Sequence, residues 1–139
     1  MKMNDIEWIE NAKKIAPDIC DWIGIYYTAE YLGENSEDLV LGPYIGAETE
    51  HKRIPLSKGI CGLAIREKRT ANISDVKSHE EYISCSFETQ SELVIPIRDN
   101  KGTIIGELDI DSHTKAAFSK EIEKAFEAYC EDFANKVLS

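Results

Sequence analysis

Two cysteines stand where a thiol could react. Cys61 lies in Lys58-Gly-Ile-Cys-Gly62, at the opening of an apolar helical pattern. Free N–H groups and the helix dipole favour the thiolate there, so an early helical position is expected to lower the thiol's pKa. The competing reading is a small buried thiol packed against a sheet. Cys85 lies in Tyr82-Ile-Ser-Cys-Ser-Phe87, inside a stretch with no hydrophobic period. Such a segment is a poor home for a core thiol, and it lets a nucleophile meet both a substrate and a second thiol. Cys20 and Cys130 complete the set of four. No CxxC pair exists, so a zinc knuckle or a thioredoxin-type motif is excluded. The first residues show no signal-peptide core, which favours reduced thiols over two structural disulfides.

Three carboxylates form a second constellation. Asp109 and Asp111 flank Ile110 in Gly106-Glu-Leu-Asp-Ile-Asp-Ser112, and on a strand i and i+2 share a face. Asp99-Asn-Lys-Gly102 reads as a hairpin turn, with glycine where φ is positive. If that turn closes a hairpin, Glu92 lies beside Asp111, and three acids crowd one end of a sheet. Like charges that close raise at least one pKa. The result is a proton donor near neutral pH or a seat for an ammonium group. A solvated strand end is the bland reading, and calcium or magnesium would also suit three carboxylates. Trp22 and Tyr26 differ by four along a strand and share a face. They are core residues, or they cradle a cation or a methyl-sulfur group. The histidines, His51, His79 and His113, are scattered without a metal template and are expected at the surface.

The elements that must position these groups follow from periodicity. A helix is predicted over 4–16, its stripe formed by Ile6, Ile9, Ala12 and Ala16 with Ile15 beside it. Strands are predicted at Trp22–Tyr27, at Leu39–Leu41 (closed by Gly42-Pro43) and at Arg53–Leu56. A helix runs from Gly59 through Ile65, and strands follow at Thr70–Ile73, Glu92–Ile97 and Thr103–Ile110. Residues 75–91 form a long loop, of the kind that is usually functional. Phe118, Ile122, Phe126, Tyr129, Phe133 and Val137 line a closing helix. The pattern is α+β: an antiparallel sheet with N- and C-terminal helices packed on one face.

The chain has 139 residues and a formal charge of −10, which suits one domain with a real core. Its acidity argues against nucleic acid, which needs clustered Lys and Arg. Its apolar runs are too short for a membrane span. A cytoplasmic protein is expected.

The motifs together resemble the free methionine-(R)-sulfoxide reductases, which are single GAF-domain enzymes. The segments that carry the resemblance are Asp21-Trp-Ile-Gly-Ile-Tyr26, Leu39-Val-Leu-Gly-Pro-Tyr44, Arg53-Ile-Pro55, Gly59-Ile-Cys-Gly62, Cys85 with Ser91-Glu-Leu-Val-Ile-Pro96, and Gly106-Glu-Leu-Asp-Ile-Asp-Ser112. The resemblance implies a single GAF domain over 1–139, with a loop-covered ligand pocket on the sheet face opposite the terminal helices. It implies reduction of free L-methionine (R)-sulfoxide, with thioredoxin as electron donor, no bound cofactor or metal, and a homodimer. By match to the family motif, Cys85 is the catalytic cysteine and Cys61 a second redox cysteine. Glu92, Asp109 and Asp111 match pocket carboxylates, with Glu92 or Asp111 serving the proton transfer. Trp22 and Tyr26 match the aromatic wall. The family often carries a third cysteine two residues before Arg-Ile-Pro, where this chain has His51. Cys61 then becomes the candidate resolving thiol, and Cys20 and Cys130 are expected to pack. The alternative is a GAF module that binds a small molecule without turnover.

Overall fold

The first helix, α1 (Asp5–Lys13), starts where the Asn4 side chain accepts a hydrogen bond from the Glu7 N–H at 2.8 Å. Asp5 and Glu7 lie in its first turn and Lys13 in its last, which matches the helix dipole. It ends before the predicted residue 16, because a residue that precedes proline, here Ala16, is driven from helical ψ. Its buried stripe also differs from expectation. Trp8, Ile9 and Ala12 are inside, whereas Ile6 is 59% exposed. The larger indole takes the central position, stacked on Tyr129 at 4.6 Å and edge-on to Phe133 at 4.9 Å.

This computed structural model describes residues 2–80, 82 and 88–138. After α1 come β1 (Trp22–Thr28), β2 (Asp38–Ile45), β3 (Arg53–Pro55), α2 (Gly59–Glu67) and β4 (Ala71–Ile73). A short 3-10 turn (Val76–Ser78), β5 (Ser91–Arg98), β6 (Ile104–Ser112), α3 (Lys120–Glu131) and a π-helical turn (Ala134–Leu138) complete the order. The six strands form one sheet in the order β3-β2-β1-β6-β5-β4, and every neighbouring pair is antiparallel. No helix of the described residues is long and apolar enough to cross a membrane.

The second strand does not stop at Gly42-Pro43 as predicted; it continues to Ile45. The β1–β2 register shifts between Gly24 and Tyr26, which absorbs an extra residue of β2. On its other side β3 pairs only with Asp38–Val40, so Pro43 lies beyond that ladder, where a missing N–H costs little.

Alternation along the three central strands sorts residues onto two faces. Ile23, Ile25, Leu93, Ile95, Ile97, Leu108 and Ile110 form one face and bury against α1 and α3 through Trp8, Phe126 and Phe133. Ser119 starts α3 by accepting a hydrogen bond from the Ile122 N–H. Cys20 and Cys130 belong to this apolar cluster, in the packing role expected of them. The helix α2 packs over the opposite face, with Ile60, Cys61 and Ala64 set against Tyr26, Val94, Leu39 and Ile54.

Candidate functional site

The face under α2 holds the predicted site residues. The β5–β6 turn closes as expected: Asp99 donates its N–H to the Thr103 carbonyl at 2.9 Å, and Gly102 has φ 84°. This fixes the register, and three cross-strand rows result. Trp22, Asp111 and Glu92 share one row; Gly24, Asp109 and Val94 share the next; Tyr26, Glu107 and Pro96 share the third. Glu92 therefore lies directly opposite Asp111, as the turn predicted.

The carboxylates are not a solvated strand end. Glu92 and Asp111 are 5% exposed, Asp109 2% and Glu107 0%. Cys61 reaches them from the first turn of α2, and donor atoms of Cys61, Glu92 and Asp109 all lie within 4.8 Å of one another. The helix can sit this low because Gly62 has no side chain; a Cβ there would collide with the Leu56 carbonyl. Glu92 lies against both Asp109 and Asp111, and the Cys61 thiol lies against Asp109 and Glu107.

Burial dominates the electrostatics. It pushes the Glu107 carboxyl well above the usual carboxylate range; the Cys61 thiol beside it pulls the other way, and the Asp109 charge adds to the rise. The Asp111 carboxyl rises strongly for the same two reasons. Asp109 also rises through burial, although hydrogen bonds from Glu92 and Cys61 pull the other way. The row therefore holds protons that exposed carboxyls would have lost.

The expectation for Cys61 is corrected in sign. Its pKa is driven well above the ordinary thiol value, first by burial and then by the charges of Asp109, Glu107 and Glu92. A helix N-terminus is worth about 0.3–1 kcal/mol, less than one pKa unit. That cannot offset full desolvation beside three acids.

Glu107 joins the predicted acids on this face. It lies two positions before Asp109, so the same alternation puts it on the same face. Neither of its carboxyl oxygens, nor Oδ1 of Asp109, has a partner in hydrogen-bonding geometry among the described residues.

Aromatic rings wall the site. Trp22 stacks on Tyr26 at 6.3 Å and on Tyr44 at 5.4 Å, so Tyr44 joins the predicted pair. Its indole Nε1 donates to the Ala47 carbonyl at 3.0 Å, and the Tyr26 hydroxyl donates to the His51 carbonyl at 2.7 Å. Gly24 makes room beneath the Trp22 ring: a Cβ there would lie 2.6 Å from it. His51 and His79 are half-buried rather than at the surface, and the backbone of His51 braces the wall. His113 is exposed, 3.7 Å from both Asp21 and Glu88. Tyr82 packs on the α2 side. Cys85, the predicted nucleophile, lies outside the described residues. A separate groove of about 530 Å³, between Lys68, Arg98, Glu127 and Glu131, contains none of the predicted site residues.

Residues 19–137 match the GAF domain family, and the chain belongs to it. Among curated proteins it is 39% identical over 111 residues to Protein YtsP of Bacillus subtilis, covering 80% of this chain and 64% of that protein. It is 34% identical over 125 residues to the free methionine-R-sulfoxide reductase of Saccharomyces cerevisiae, covering 85% and 67%. The chain thus spans about two thirds of these relatives' length. A type II free methionine-R-sulfoxide reductase from Thermoplasma acidophilum superposes with a TM-score of 0.83 at 37% identity, covering 94% of this chain and 87% of that one. Within the GAF proteins, this chain is a member of the free methionine-R-sulfoxide reductase family.

Proposed function

We propose that this protein reduces free L-methionine (R)-sulfoxide to methionine in the cytoplasm, as a homodimer, with thioredoxin supplying the electrons. The observation that carries the reading is the buried row of Glu92, Asp109 and Asp111 beside Cys61 and under the Trp22–Tyr26 wall. The wall suits the methyl-sulfur end of the substrate. Carboxylates of the row would hold its ammonium, a charge that a peptide-bound methionine lacks, and so select the free amino acid.

In this scheme the Cys85 thiolate attacks the sulfoxide sulfur while a neutral carboxyl, Glu92 or Asp111, protonates the oxygen. Methionine departs and leaves a sulfenic acid on Cys85. The Cys61 thiol then condenses with that group, a sulfur–sulfur bond forms and water leaves. Thioredoxin takes up the disulfide and returns two thiols. The elevated Cys61 pKa keeps this thiol protonated at rest, and the adjoining carboxylates are the groups placed to receive its proton. No metal or bound cofactor enters the cycle.

The test is NADPH consumption with thioredoxin, thioredoxin reductase and each sulfoxide epimer. Turnover of the R epimer, abolished by Cys85→Ser, is expected; no turnover sinks the reading. Full multiple-turnover activity in Cys61→Ser would remove Cys61 from the resolving role. Tight nucleotide binding without turnover would favour a sensor instead.

A further inference from the structure

The carboxylate row that serves the proposed reduction also brings together the donors of a metal site. Cys61 contributes a sulfur, Glu92 and Asp109 contribute oxygens, and the three donor atoms lie within 4.8 Å of one another. All three side chains are buried. Beside them Glu107, fully buried, and Oδ1 of Asp109 lack hydrogen-bonding partners among the described residues. Buried, unpartnered carboxyl oxygens are costly, and a cation in their midst would remove that penalty.

We propose that Cys61 Sγ, Glu92 and Asp109 bind one zinc-class divalent cation, with Asp111 and Glu107 as its flanking acids. Zinc bonds of about 2.0–2.3 Å put tetrahedral donors roughly 3.3–3.8 Å apart, so rotations of about 1 Å bring this set into range. The thiolate decides the class of ion. Calcium and magnesium require shells of oxygen and gain nothing from sulfur, whereas zinc accepts sulfur and carboxylate together. An ammonium group would satisfy the oxygens but has no use for a thiolate. Binding exchanges the ion for protons: the Cys61 S–H bond breaks, the S–metal bond forms, and that proton, with those held on the ligating carboxyls, goes to solvent. The donors come from α2, β5 and β6, so no spacing motif in the chain announces the site. These are the donors that the proposed reduction uses, so ion and substrate compete for them, and the titration below reads the ion without turnover.

The test uses the full-length chain, reduced and stripped with a chelator, titrated with Co2+ and then with Zn2+. One Co2+ per chain is expected, with a thiolate-to-cobalt charge-transfer band that Zn2+ removes and excess Ca2+ does not. The band should survive Cys85→Ser and disappear in Cys61→Ser. Absence of the band in the wild type, or its persistence in Cys61→Ser, overturns the proposal. Should Cys61→Ser fail to fold, Asp109→Asn with a native circular dichroism spectrum serves instead. It must weaken Co2+ binding by tenfold or more, and unchanged affinity overturns the site.

Discussion

The two faces of the central sheet are built by the same three strands and obey opposite rules. Toward α1 and α3, β1, β5 and β6 present isoleucine and leucine, closed by Trp8, Phe126 and Phe133. Toward α2, the alternate residues of the same strands present Glu92, Glu107, Asp109 and Asp111 at similar burial. One face contributes stability through close packing. The other gives up stability to keep acids and a thiol out of water, which is where shifted proton affinities arise. Adjacent residues on one strand, such as Leu108 and Asp109, therefore serve unlike purposes 180° apart.

The largest effect should come from breaking the packed face. Phe126→Ala is expected to cost about 3–5 kcal/mol, read as a lower urea midpoint with little change in slope. A cost below 1 kcal/mol would mean that this face is not the main core.

Proton uptake should separate the faces next. The raised carboxyl pKa values of Glu107, Asp109 and Asp111 mean that the folded state keeps protons which the unfolded chain releases above about pH 4. Their contribution to stability is complete below the unfolded values and is lost as pH rises toward the folded ones. Each retained proton gives a slope of about 1.4 kcal/mol per pH unit. Melting temperatures from pH 5 upward should fall in the wild type and fall less steeply in Glu107→Gln. Parallel curves would show that Glu107 is ionised in the folded state.

Glu107→Leu should raise stability by about 1–3 kcal/mol, since it removes a buried group with no hydrogen-bond partner among the described residues. Destabilisation of that size would show that Glu107 has a partner. The smallest effect concerns the wall. Tyr26→Phe loses the bond to the His51 carbonyl and should cost about 1 kcal/mol by denaturant titration. A larger loss would make that bond a structural strut of the α2 face.

What the sequence revealed follows the same division. The Asp99–Gly102 turn fixes a register, so the meeting of Glu92 and Asp111 could be read before any fold was known. Glu107 needed only one more step of the same alternation, but an acid inside a strand with a hydrophobic reading is easily assigned to solvent. The sign of the Cys61 shift was not readable. It depends on how closely α2 lies over the sheet, a tertiary fact set by Gly62 and the chain at Leu56. The displaced stripe of α1 was likewise decided from outside the helix, by the place that Tyr129 and Phe133 make for Trp8.

The two tryptophans fall one on each side of this divide, and the molecule thereby carries its own pair of optical reporters. Trp8 is fully buried, with an indole N–H that has no hydrogen-bond partner among the described residues, so its emission should be blue-shifted and should change when the chain unfolds. Trp22 is half-buried over the acids, with its indole bonded to the Ala47 carbonyl, so its emission should respond when the pocket fills. Fluorescence of Trp8→Phe and Trp22→Phe would then separate occupancy from unfolding without any added label.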